Sequence, residues 1–533
     1  MNSRYTLLGL LLLLVACGNH STEGLQIFRY NESAGITSTD PAFAKDQAHI
    51  WVCRQLYNGL VQLDTALRVQ PCIAHSWDIS DDGKQYTFHL RQDVWFHKNE
   101  LFLNADSTRP VVASDFVYSF NRILDPSVTS PGSWIFSNIA PNGFRAENDS
   151  TFVITLKEPF PPFLGQLGMV YCSVVPREVV DHYGTDYRSH PCGTGPFKYQ
   201  LWKEGVKLVL RRNENYFETD ETGFRLPYLD AVAITFIIDR QTVFLEFVKG
   251  NLDFMNSIDA AYKDELLTHD GLLREKYSDR IDLTTIPYLN TEYLGFLMDD
   301  TITPLQSRLL RRAINYGFDR KKMMKYLRNG IGRPGENGFV PSGLPGFDSC
   351  NYGYSYNPTK AMQLLKEAGF ENGKGLPSIT LQTTANYLDL CKYIQQQLGL
   401  LNIHVKIDVN PPASLREQMA QGKSTWFRGS WVADYPDAEN YLSLFYSVNR
   451  SPKGPNYTHY SNKVFDRLFE NARKETDPAI RAQMYHSMDS LVMQDAPVVV
   501  LYYDQILHFT HKNISGLRTD AMNTLDLRRV RKQ

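Results

Sequence analysis

Hydrophobic positions along the chain recur with two periods. Tyr86, Phe88 and Leu90 alternate with polar residues behind the Asp81-Asp82-Gly83 turn, which predicts a strand with one buried face. Lys198 to Leu210 alternates likewise about Lys203-Glu204-Gly205, predicting a hairpin, and Asp230 to Ile238 reads as a further strand. Elsewhere the period is helical. Phe116, Val117, Phe120, Ile123 and Leu124 share one face, with Ser114 as N-cap and Asp125-Pro126 as the stop. Arg311 to Arg328 predicts one helix that buries Ala313, Ile314 and Phe318. Asn357 as cap, Pro358 at the first helical position and Gly369 past the last turn frame another, packed through Leu364, Leu365 and Ala368. Phe465, Leu468, Phe469 and Ala472 form a helical stripe, as do Ile480, Met484, Met488 and Leu491. Leu56 to Asp64 passes from helix into strand, and Val498 to Tyr503 after Pro497 reads as a buried strand. With the two element types mixed throughout and no internal repeat, the expected class is α/β (mixed α and β).

One apolar run fits neither period. Leu7 to Ala16 follows Arg4 and is interrupted only by Gly9. It is shorter than the roughly 20 residues a membrane span needs and fits the apolar region of an export signal. It ends in Leu14-Val15-Ala16-Cys17, which resembles a bacterial lipobox. Residues 1–16 are then a signal peptide and Cys17 is the acylated first residue, each buried methylene adding about 0.8 kcal/mol of membrane attachment. No later run is long and apolar enough to span, so the remainder is expected to be exported and soluble.

Composition narrows the picture further. A chain of 533 residues exceeds one hydrophobic core and predicts two or three domains. Fifty-six basic against 58 acidic residues leave a formal charge of −2, without the basic excess of a nucleic-acid binder. Cys53, Cys72, Cys172, Cys192, Cys350 and Cys391 form no CxxC pair, so they read as small buried hydrophobes whose pairing stays open. HExxH and a GxSxG elbow are missing from the sequence, and no GxGxxG follows a predicted strand. Gly422-Lys423-Ser424 resembles the end of a phosphate loop, but Glu417 stands where its first glycine belongs. His89 and His97 lack a third ligand. The sequence therefore predicts no enzyme, no metal and no cofactor.

An ordered set of segments resembles family 5 of the extracellular solute-binding proteins, the oligopeptide- and dipeptide-binding lipoproteins. It comprises Thr39-Asp40-Pro41-Ala42, Leu56-Tyr57-Asn58-Gly59-Leu60, Ile73-Ala74-His75-Ser76-Trp77, Asp82 to Arg91, Ala113 to Ser119, Gly193-Thr194-Gly195-Pro196-Phe197, Gly250-Asn251-Leu252-Asp253, Arg311-Arg312-Ala313-Ile314 with Asp319-Arg320, and Tyr356 to Phe370. Phe296-Leu297-Met298 departs from the family pattern at one point. The resemblance implies two hinged α/β lobes with an extra domain. One lobe takes 17–55, 190–286 and 504–533, the extra domain 56–189 and the other lobe 287–503. It also implies a monomeric substrate-binding lipoprotein of an ABC importer, lipid-anchored in the cell envelope and facing the periplasm or exterior. That protein would deliver short peptides to permease subunits. Relatives of this fold bind nickel, haem, glutathione or oligosaccharides, and a peptide sensor without a transport role would use the same cleft.

Peptides of any sequence share an ammonium, a carboxylate and a backbone, so a general receptor is expected to fix those three. Phe427 to Tyr435 resembles the segment that does so in oligopeptide-binding proteins. The resemblance implies that Asp434 takes the α-ammonium, that Ser430, Trp431 and Val432 pair with the backbone, and that Arg428 meets the carboxylate. Ser430 departs from the glycine of the pattern. Lys45 and Asp46 are expected to face the peptide from the other lobe.

Overall fold

The computed structural model describes residues 24–258, 262–344 and 352–533; Cys17, the leader and Cys350 lie outside the described residues. β1 (Ile27–Asn31) buries alternate residues. Asp46 caps α1 (Gln47–Leu56), accepting the His49 N–H at 3.2 Å, and α1 turns Trp51, Val52 and Leu56 into the core.

Four antiparallel strands come next, β2 (Ala74–Ile79), β3 (Gln85–Leu90), β4 (Ile139–Asn148) and β5 (Thr151–Leu156), ordered β2-β3-β5-β4. β3 buries Tyr86, Phe88 and Leu90, as its period of two demands. α2 (Ala113–Leu124) covers this sheet, its Phe116 and Phe120 rings each 5.6 Å from that of Phe152. Ser114 lies inside α2 and is not its cap. The carboxylate of Asp115, paired with Arg109, accepts the Val112 N–H at 2.9 Å and closes the first turn instead.

The main sheet contains β6 (Phe197–Lys203), β7 (Lys207–Arg212), β8 (Ala231–Thr235), β9 (Phe254–Asn256), β10 (Ile281–Phe296), β11 (Ile379–Thr383), β12 (Val405–Val409), β13 (Trp426–Val432) and β14 (Val498–His511). With β1 they run in the order β12-β11-β13-β10-β14-β9-β1-β8-β7-β6. β10 and β14 pair antiparallel from Ile281↔His511 to Gly295↔Val498, and the pairing slips between Pro287↔Gln505 and Thr291↔Tyr503. Pro287 has no N–H to give the ladder, which suits it to such an irregularity. The two long strands thus join two halves of the sheet. Phe28, Tyr30 and Trp51 share one core with the four-stranded sheet. Beyond the slip both faces are covered, as a sheet between helix layers requires. Tyr293 and Phe427 point into one core with Phe339 and Phe445, and Leu294, Phe296 and Trp426 into another with Leu310 and Ile314.

Other expectations are adjusted. Arg311 to Arg328 is two helices, α3 (Arg308–Tyr316) and α4 (Arg320–Arg328), because Asp319 caps a new start by accepting the Lys322 N–H at 3.0 Å. α5 (Pro358–Glu367) follows its Asn357 cap as expected. α6 (Ala438–Leu442) and α7 (Lys463–Ala472) precede α8 (Pro478–Asp495). α8 buries Tyr485, Met488, Asp489 and Val492, while Ile480 is 45% exposed. The buried Asp489 accepts the Phe339 N–H at 2.8 Å, so a carboxylate occupies a core position that an apolar stripe cannot reveal. The strand predicted at Val498 to Tyr503 runs on to His511, and that at Asp230 to Ile238 shrinks to Ala231–Thr235. Cys53, Cys72, Cys172, Cys192 and Cys391 are buried free thiols. Among the described residues no helix is long and apolar enough to cross a membrane.

Candidate functional site

β13 pairs with β10 along its whole length, Trp426↔Phe296 to Val432↔Asn290. On its other side β11 reaches it only at Gln382↔Phe427. From Arg428 to Val432, that edge therefore faces no strand among the described residues. Gly429 is required here, since a Cβ would stand 2.7 Å from the Tyr293 ring. Ser430 and Val432 are exposed, and Trp431 is half-buried against the core that holds Phe339.

Asn440 on α6 orders the end of this strand. Its side-chain oxygen accepts the Trp431 indole N–H at 2.9 Å and the Asp434 N–H at 3.1 Å, and its amide donates to the Asp434 carboxylate at 3.1 Å. Among the described residues no cation pairs with Asp434. The carboxylate keeps an exposed surface while lying deep between protein walls, and this desolvation raises its pKa against the opposing Asn440 bond.

Asp434 lines a cavity of about 300 Å³ together with Val432, Lys45, Asp46, Tyr171 and Arg54. Lys45 and Asp46 are both exposed at the start of α1. The Asp46 carboxylate lies 2.6 Å from His49 Nδ1, a bond that holds its pKa down. Burial raises the Tyr171 phenol, and the charges of Asp434 and Asp46 raise it further. The cavity thus spans the two halves of the sheet. Asp434 and Val432 come from one side, Lys45, Asp46 and Arg54 from the other.

Arg428 goes elsewhere. Its guanidinium pairs with Glu292, which is 2% exposed, and stacks 3.3 Å from the Tyr387 ring centroid. Burial raises the Glu292 carboxyl and Arg428 counters it. Next to this pair, Arg328 meets Asp504 at 2.6 Å and donates to the Tyr502 hydroxyl at 3.0 Å. Arg428, Ser430 and Trp431 do not line the 300 Å³ cavity. Sequence reasoning missed Asn440, Glu292, Tyr171 and Arg54. Asn440 lies only six residues after Asp434, but Glu292 meets Arg428 through strand register across 136 residues and leaves no local signal. Among the described residues no three His, Cys, Asp or Glu side chains gather as metal ligands.

Two halves of a sheet with a cavity between them are the architecture of a solute-binding protein. Residues 68–453 match the family described as bacterial extracellular solute-binding proteins, family 5 Middle, and the chain belongs to that family. It is 26% identical to the dipeptide-binding protein of Escherichia coli (strain K12) over 486 residues, 88% of this chain and 87% of that one. It is 28% identical to a glutathione-binding protein of Escherichia coli O1:K1 over 492 residues, 91% of this chain and 90% of the other. Among solved structures, a periplasmic binding protein of Helicobacter pylori in complex with the peptide STSA superposes with a TM-score of 0.75 at 26% identity, covering 94% of this chain and 98% of that one. HbpA2 of Haemophilus parasuis shares the fold with a TM-score of 0.81 at 22% identity, over 95% and 100% of the two chains. The family and these relatives are described as solute-binding proteins.

Proposed function

We propose that this protein captures short peptides and hands them to the permease of an ABC importer, without catalysing any reaction on them. The observation that carries this reading is Asp434, a carboxylate with no cation partner among the described residues, at the end of a strand whose outer edge is open. An ammonium there satisfies the charge, and a peptide backbone along Ser430 to Val432 completes the ladder. The names of the dipeptide-binding relative and of the STSA complex point the same way. A glutathione ligand is the second reading, favoured by the 28% identity to a glutathione-binding protein; it too offers an ammonium and carboxylates.

The slip near Pro287 and Gln505 is read as the hinge between the lobe of 17–55, 190–286 and 504–533 and the lobe of 287–503, with 56–189 as the extra domain. Lys45 and Asp46 contact the ligand from the first lobe and Trp431 flanks it from the second. Arg428 serves longer ligands, whose carboxylates lie further along β13. Cys17 carries the lipid that holds the protein, a monomer, at the cell envelope, facing the periplasm or exterior. Calorimetric titration with di- and tripeptides, glutathione and oligosaccharides tests the ligand class. Peptide binding that weakens strongly on N-acetylation is expected, whereas binding of a sugar alone overturns the reading. Metabolic lipid labelling should mark the wild type and leave Cys17→Ser unlabelled.

A further inference from the structure

Arg54 sits in the last turn of α1 and lines the cavity that Asp434 lines. It also lines a second, polar cavity of about 60 Å³ behind the first. Its guanidinium has no hydrogen-bond, ion-pair or ring partner among the described residues, and its Nε is fully buried. Buried donors are nearly always satisfied, by protein, water or ligand. The carboxylates around it are already engaged. Asp520 accepts the Met522 and Thr524 N–H groups and the Thr524 hydroxyl, and Asp526 is held by Arg528 at 2.8 Å. Burial depresses the Arg54 pKa, and the charges of Asp520 and Asp526 do not offset this.

The charges on the cavity wall then describe the ligand it lacks. Asp46 is taken by His49, and Lys45 is exposed. Of the groups without an ion pair that remain, Asp434 is an anion on one lobe and Arg54, whose Nε is fully buried, a cation on the other. A zwitterion satisfies both. Arg428 cannot perform this role for a ligand held inside the cavity, because it lies off the wall and is committed to Glu292. The enclosed volume is also at the low end of ligand sites, which run from about 300 to 1,000 Å³. We propose that Arg54 is the carboxylate anchor of the cleft, selecting peptides of two or three residues whose ammonium is held at Asp434. Its planar fork suits bidentate capture of a carboxylate. Such a ligand bridges the two lobes through its charged ends, and closure follows because only the closed state meets both charges.

This inference rests on the peptide reading above, and the test separates the two. Dialanine and trialanine, as free acids and as C-terminal amides, are titrated by calorimetry into the wild type, Arg54→Gln, Arg54→Lys and Lys45→Gln, each variant first checked for folding by its melting transition. Amidation is expected to weaken binding to the wild type roughly thirtyfold or more. Arg54→Gln should weaken the free acids by a similar factor and leave the amides nearly unchanged, with Arg54→Lys between the two. Should Arg54→Gln not fold, a smaller acid–amide difference in Arg54→Lys than in the wild type supports the assignment, and an unchanged difference overturns it. Equal weakening of acids and amides in Arg54→Gln, or an acid–amide difference erased by Lys45→Gln instead, also overturns it. If neither acids nor amides bind the wild type, the peptide reading falls and the Arg54 assignment with it; if both bind equally, peptide binding stands and only Arg54 is refuted.

Discussion

At the scale of single residues, the site is built on unmet charge. Asp434 is fixed by Asn440 yet left without a cation, and its desolvation raises its pKa. Ammonium binding needs the ionised carboxylate. Affinity for a peptide should therefore begin to fall at a higher pH than an ordinary carboxylate would cause, while Asp434→Asn abolishes that pH dependence together with most of the affinity. A titration series from neutral to acidic pH on both forms decides it; a wild-type profile that stays flat down to the normal carboxylate range would place the anchor elsewhere. Removing one partner of a buried pair typically costs about 2–5 kcal/mol, or roughly thirtyfold and more in affinity. Arg428 presents the opposite case, a cation already satisfied by Glu292 and by the Tyr387 ring. A peptide advances about 3.3 Å per residue along the edge of β13, so its carboxylate nears Arg428 only beyond a certain length. Arg428→Ala should weaken longer alanine peptides more than dialanine. Equal losses at every length would make Arg428 a support of Glu292 and the hinge alone.

Elements explain which parts of the site could be read from sequence. Asp434, Lys45 and Asp46 are named by the resemblance of their segments to the family, whereas α1, which starts just after Asp46, and β13, which ends just before Asp434, are not among the elements the hydrophobic pattern predicts. Arg54 could not be read, because being unpaired is a property of the folded surroundings, set by which carboxylates Thr524 and Arg528 have already claimed. The break between α3 and α4 escaped for a related reason. Hydrophobic period continues through it and only the Asp319 side chain marks the new start. The Gly193-Thr194-Gly195 loop shows how such elements are held. A Cβ at Gly193 would stand 2.1 Å from the Leu56 carbonyl oxygen at the end of α1. His97 clamps this loop, accepting the Gly193 N–H at 3.3 Å through Nδ1 and donating from Nε2 to the Gly195 carbonyl at 3.0 Å. That pattern requires neutral imidazole, and burial lowers its pKa from 6.5 to about 4. A group with a depressed folded pKa binds fewer protons when folded. Its contribution, roughly 3 kcal/mol for a shift of this size, is complete above about pH 6.5 and lost as pH falls toward 4. Glu439 and Asp489, pushed up to about 7 by burial, act with the opposite sign, so the wild-type profile alone conceals the effect. The difference in unfolding free energy between wild type and His97→Gln should shrink between pH 6.5 and 4; a difference constant with pH would show that His97 contributes packing only.

For the whole molecule, binding energy must be compared with the contacts that close the cleft. The segments around the four-stranded sheet reach across to the far half of the main sheet through several contacts among the described residues. Lys474 pairs with Glu158 at 2.7 Å, Arg473 lies 5.0 Å from the Phe160 ring centroid, and the Trp134 and Tyr435 rings are 6.1 Å apart. Tyr435 follows Asp434 and lines the same cavity, so the last of these contacts is built directly onto the ligand wall. On the proposed hinge, these contacts favour closure whether or not ligand is present, and a ligand shifts the equilibrium only by its preference for the closed form. They therefore set how much of the ligand's energy appears as affinity. The Lys474–Glu158 pair is solvent-exposed, and such pairs contribute little and are screened by salt. Lys474→Glu should weaken peptide binding only a few-fold at low ionic strength, with the loss fading at high salt and restored by Glu158→Lys in the same chain. An aromatic pair is worth about 0.5–1.5 kcal/mol, so Trp134→Ala should weaken binding by a few-fold to about tenfold at any salt concentration. The loss should appear as faster dissociation, because the contact forms after the ligand has entered. Stopped-flow association and dissociation rates with one peptide separate these outcomes. A change confined to the association rate would mean that Trp134 guides entry and does not hold the closed lobes together.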